Sequence, residues 1–149
     1  MSTAKKSYVF RVSQGKTWRK IQISKESTLE DLHLAIQDVF EFDNDHLYSF
    51  FMDNKKWSKD EDMVFVSSYD DVDGNLASEA VLQDFTFARN QKFMYLFDFG
   101  DEWIFTVSLS NEVEDETPTP IEIAGNGALP QQYPDYEDED FDYDEEDED

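Results

Sequence analysis

Tyr95-Leu96-Phe97-Asp98-Phe99-Gly100-Asp101-Glu102-Trp103 places four aromatics, three acids and one glycine in nine residues. Two short apolar runs meet at Asp98–Asp101, so the stretch reads as a β-hairpin, with Gly100 expected to supply the positive φ of its turn. Phe93–Phe97 and Trp103–Leu109 are then the paired strands. Towards the N-terminus, Tyr8–Val12 and Trp18–Ile23 alternate apolar and polar residues across the turn Ser13-Gln14-Gly15-Lys16, which predicts a second hairpin. Trp18, Ile21 and Ile23 read as its apolar anchors. Between the hairpins, Ser27-x-x-Glu30 has the form of a capping box. Leu29, Leu32, His33, Ile36, Val39 and Phe40 recur at steps of three and four, which predicts an amphipathic helix over Leu29–Phe40.

Leu47–Met52 and Met63–Val66 read as further strands, and Asp70–Asn75 as a polar loop. Ala80–Ala88 is ambiguous, with a short helical turn as one reading. The chain beyond Ser110 reads as loop, marked by Asn126-Gly127 and Pro130. The order hairpin, helix, strands predicts an α+β domain over residues 1–134. It is β-grasp-like, a mixed sheet wrapped on one main helix. A disordered acidic tail is expected over 135–149, where only Tyr136, Phe141 and Tyr143 are not Asp or Glu.

Charge removes whole classes of function. The net charge is −24, from 36 acidic and 12 basic residues. Phosphate binding rests on Lys and Arg, so direct nucleic-acid binding and attachment to anionic membranes are disfavoured. There is no cysteine, which excludes disulfides, thiolate nucleophiles and cysteine metal sites. The 13 Phe, 7 Tyr and 3 Trp are enough to build a core. The polar N-terminal residues read as lacking a signal sequence, and a cytoplasmic location is the expectation.

The groups suited to chemistry are few. Asp98, Asp101, His33 and His46 could converge on a metal ion or act as acid and base. The opposing reading has both aspartates fixing the turn through backbone amides, and His33 as a core histidine. Trp18 and Trp103 could line a ligand surface, with Arg19 beside Trp18 in a small basic patch, or they could simply pack. No phosphate loop, dinucleotide fingerprint or Ser/His/Asp arrangement is present. The sequence leaves any metal or cofactor open. The tail reads either as a solvated extension or as an acidic segment that seats in a basic groove of a partner.

Several motifs together resemble one family. They are Trp18-Arg19-Lys20, then Thr28-Leu-x-Asp-Leu-His33-x-x-Ile36, His46-Leu47-x-x-Phe50, Tyr95-x-Phe-Asp98-Phe-Gly100-Asp101-x-Trp103, and a late Gly125-Asn-Gly-Ala-Leu-Pro130 followed by Tyr133. In this order and spacing they are similar to the plasmid RiA open-reading-frame-three-like family, whose members are often labelled passenger TnpR-like proteins of insertion sequences. The resemblance implies a compact α+β domain in an intracellular setting and no settled reaction. The chain lacks a nucleophilic serine among arginines, so the label does not make it a resolvase. It departs from the family pattern at Phe105, where a histidine is usual. It departs again at Leu129 and Gln131-Gln132, where Cys and a Glu-Asp pair are usual. Both departures weigh against metal or acid–base chemistry. The reading is therefore a non-enzymatic cytoplasmic protein-binding module. It engages a basic partner through its acidic surface, with a metal-dependent enzyme or small-ligand binder at the Asp98–Asp101 turn as the alternative.

Overall fold

The computed structural model describes residues 5–69 and 74–132. Asp70–Asp73 of the expected polar loop and the acidic tail lie outside the described residues. The described chain is α+β, with one α-helix and eight strands. These are β1 (Ser7–Gln14), β2 (Thr17–Ser24), α1 (Leu29–Val39), β3 (Tyr48–Phe51), β4 (Val64–Val66), β5 (Asn75–Leu76), β6 (Lys92–Phe97), β7 (Trp103–Val113) and β8 (Ile121–Asn126). They form one mixed sheet in the order β5-β4-β3-β6-β7-β1-β2-β8. Neighbours run antiparallel except β4 and β5.

Both expected hairpins are present. Tyr8 pairs with Ile23 and Phe10 with Ile21, while Tyr95 pairs with Phe105 and Phe97 with Trp103. Alternation sends Tyr8, Phe10, Val12, Phe93, Tyr95, Phe97, Phe105 and Val107 into one core beneath α1. The helix adds Leu29, Leu32 and Ile36, and Phe40 follows it into the same core. Burying one such side chain stabilises by about 1.5–3 kcal/mol. Edge-to-face rings pack the core, with Phe40 after α1 and Phe105 on β7 centred 5.0 Å apart and Phe10 and Phe93, both on the sheet, 5.8 Å apart.

Three expectations need correction. The capping box sits one residue later than Ser27 and Glu30. The Thr28 hydroxyl accepts from the Asp31 amide at 3.2 Å, and the Asp31 carboxylate accepts from the Thr28 amide at 2.9 Å. Trp18 faces away from Ile21 and Ile23, because the odd step from 18 to 21 reverses the side on a pleated strand. It stacks instead on Arg11, whose guanidinium lies 4.7 Å from the ring centroid. The segment after Ser110 is not all loop, since β7 continues to Val113 and β8 adds an edge strand on β2. Short 3₁₀ turns at Ala77–Glu79 and Leu82–Asp84 resolve the ambiguous stretch.

The helix C-terminus aims the following loop. Glu41 takes φ 60, its amide bonds Asp38 O at 3.2 Å, and the Phe42 amide bonds Gln37 O at 2.9 Å. That reversal is a Schellman motif without glycine. It turns Phe42 into the core and carries Asn44 back over α1. No helix of the described residues is long and apolar enough to cross a membrane.

The cap assignment is testable by unfolding. Thr28→Ala is expected to cost about 1 kcal/mol in urea denaturation, and Ser27→Ala close to nothing. Equal losses at the two positions would contradict the register.

Candidate functional site

His33, His46 and Asp98 gather at one end of the sheet, where α1, the loop after it and the β6–β7 turn meet. His33 lies on the buried face of α1, 3% exposed. Its Nδ1 is 2.5 Å from the Tyr95 hydroxyl and its Nε2 is 2.8 Å from Asn44 Oδ1. Gln37, one turn further along α1, donates Nε2–H to the same hydroxyl at 3.0 Å. The Asn44 amide donates to Gln37 Oε1 at 2.8 Å. One assignment satisfies every member. The Tyr95 O–H donates to Nδ1, Nε2–H donates to Asn44, and Gln37 closes the ring.

That ring holds His33 as the neutral imidazole. Burial pushes its pKa down to about 4, opposed in part by the bond to Asn44. Burial likewise holds the Tyr95 hydroxyl protonated. The His33 ring stacks on Tyr48 with centroids 3.7 Å apart. Tyr48 is buried as well, and its hydroxyl has no hydrogen-bond partner among the described residues.

The β6–β7 turn is built differently from expectation. Gly100 does not carry the positive φ; Asp98 does, at 66°, and Glu102, at 53°. Asp98 tolerates this because its own Oδ1 accepts from the Gly100 and Asp101 amides at 3.1 and 3.3 Å. Its amide bonds Leu47 O at 2.9 Å, and its carbonyl accepts from the Glu102 amide at 2.6 Å. Asp98 thus ties the turn to the start of β3. Its second oxygen lies 3.4 Å from His46 Nε2, and Asp45 Oδ1 lies 3.7 Å from the same nitrogen.

The structure brings together Asp98 and His46, and places His33 and His46 on one cleft of about 670 Å³ together with Tyr48 and Glu30. Asp101 is exposed and joins the turn through its backbone amide. No group of three or more His, Asp or Glu among the described residues is placed to hold a metal ion. Trp103 packs edge-on against Phe42 at 5.0 Å, and its buried indole N–H has no partner among the described residues.

Arg19 belongs to a separate cluster. Its guanidinium donates to the carbonyls of Trp18, Asn126 and Gly127 at 2.8, 3.0 and 2.9 Å. A Cβ on Gly125 would stand 2.4 Å from Arg19 Cδ, so that glycine makes room for the side chain. Thr17 Oγ1 donates to Ala128 O at 2.5 Å.

The chain matches the sequence model described as plasmid pRiA4b ORF-3-like protein over residues 9–138. It belongs to the plasmid pRiA4b ORF-3-like family. Its fold is similar to the crystal structure of a protein of unknown function from Methanosarcina mazei Go1. The two share 30% identity over 83% of this chain and 71% of that one, with a TM-score of 0.64. No curated protein matches. The motifs that carried the resemblance now have physical roles. Thr28 and Asp31 cap α1, His33 and Tyr95 share the buried ring, Asp98 forms the turn, and Arg19 holds the late glycine loop. Gln37 and Asn44 escaped the sequence reading. Their signals were a polar residue one turn after His33 on a buried stripe, and an asparagine suited to the left-handed backbone it adopts at φ 54.

The ring sets a pH dependence. A histidine with a depressed folded pKa stabilises fully above its unfolded value near 6.5, and that contribution is lost as pH falls through about 4. Between pH 6.5 and 4, wild type should lose roughly 3 kcal/mol more than His33→Gln. Parallel urea titrations cancel the carboxylates common to both proteins. Identical pH profiles would contradict the neutral buried imidazole.

Proposed function

We propose that this chain is a non-enzymatic cytoplasmic protein-binding module whose acidic surface and tail engage a basic partner. The observation that carries the reading is charge: 36 acids stand against 12 bases. Several of those bases are already paired at the surface. Lys56 bonds Glu102 at 2.8 Å, Lys6 lies 3.5 Å from Glu116, and Lys25 bonds Glu112. Carboxylates outnumber bases three to one across the chain. The absence of catalysis is supported by the way His33, Tyr95 and Asp98 bond to one another or to turn amides. Association with a mobile element is supported by the plasmid origin in the family description. A β-grasp-like opening is supported by the hairpin, helix and strand order, and the division at residue 134 by the acidic run that follows.

A metal-dependent enzyme or small-ligand binder is the second reading. Its support is the approach of His46 to Asp98 beside the cleft that Tyr48 also lines. Asp98→Asn and Asp101→Asn would then abolish metal or ligand binding without unfolding the domain. Under the first reading, Asp98→Asn lowers the melting temperature and Asp101→Asn leaves it unchanged.

The binding reading predicts that affinity capture recovers basic proteins, that elution follows rising salt, and that deleting residues 135–149 weakens recovery. Failure of both forms to recover any basic protein, or recovery indifferent to salt, would sink it.

A further inference from the structure

The segment Thr117–Gln132 contains a single charged side chain, Glu122. Glu112, Glu114, Asp115 and Glu116 precede it, and the acidic run from Asp135 follows. This neutral window supplies β8, a terminal strand of the sheet. The opposite edge, β5, is only two residues long. All six residues of β8 are exposed, and Ile121 and Ile123 are 48% and 45% exposed. One side of the strand pairs with β2, and the other has no strand partner among the described residues. Glu122 already faces Arg19, with Nε 3.6 Å from Oε2.

We propose that β8 pairs edge to edge with β8 of a second copy of this chain, antiparallel about a two-fold axis, so that one sheet runs through a homodimer. An open strand edge presents unpaired amides and carbonyls that another strand can satisfy. The charge pattern selects a second copy as that strand. Two chains of charge −24 repel wherever their acidic surfaces meet, and β8 is the stretch where they meet with least added repulsion. A basic partner finds little to attract it there, because the one carboxylate is paired. A two-fold contact is self-complementary and closes on itself. The register shift that leaves Ile123 opposite no β2 residue bends the strand, and Pro118 and Pro120 precede it, which favours a closed pair over an extended stack.

The proposal is independent of the acidic-surface reading, and salt separates the two. Self-association against like charge strengthens as salt screens it, whereas capture of a basic partner weakens. Sedimentation equilibrium of the full chain should give a dimer in about 0.5 M NaCl, and more monomer in about 0.05 M, where the screening length is roughly three times longer. The double variant Ile121→Lys, Ile123→Lys should be monomeric at both, and its melting temperature should match that of wild type diluted until it is monomeric, since both side chains are about half exposed. In wild type, hydrogen exchange of the β8 amides should slow as protein concentration rises. A monomer at every concentration, a dimer indifferent to the lysines, or β8 protection independent of concentration would each overturn the proposal.

Discussion

A histidine buried beneath α1 has to remain uncharged, and much of the site end of the fold answers to that constraint. His33 sits against Tyr48, Tyr95 and Phe97, where an imidazolium would be costly. Its two nitrogens are satisfied from different elements, one by β6 through Tyr95 and one by the loop after α1 through Asn44. Gln37 joins those partners and closes the ring. The ring fixes the helix to the sheet at the end where the aromatic core gives way to polar loops. A half-satisfied network would be worse than an apolar one, so each member matters to the others.

The second constraint is charge. Folding gathers most of the aromatic rings into one core beneath α1, with Phe51, Trp57 and Phe99 packed in a separate group, and the chain carries a net charge of −24. Local ion pairs such as Lys56 with Glu102 are exposed and contribute little to stability. The consequence for function lies in what the surface attracts and repels. Acidic stretches favour cationic partners, while the neutral late segment, held by Arg19 and Thr17 against β2, is the stretch least subject to repulsion.

Much of the architecture was legible because it followed simple periods. The two hairpins and α1 appear where alternation and the three-to-four step place them. The misses have two causes: equivalent local signals were chosen between by side chains two or three residues away, and one strand exists only through a pairing distant in sequence. Ser27 and Thr28 are equally good caps on paper, and Asp31 decides between them by answering Thr28. Gly100 looked like the residue for positive φ, yet Asp98 takes it because its carboxylate can hold the next amides. The Ile121–Asn126 strand was hidden by flanking proline and glycine, and exists through pairing with β2. At the site, His33 and Asp98 were visible as residue types. The partners that determine the behaviour of His33, namely Tyr95, Gln37 and Asn44, are joined only by folding.

The most direct test of this account is the tautomer and titration of His33, read from its ring nitrogens by NMR. The closed ring requires a proton on Nε2, none on Nδ1, and a neutral imidazole down to about pH 4. A proton on Nδ1, or titration near the unperturbed value of about 6.5, would show that the ring does not hold His33 and would remove the constraint on which the site rests.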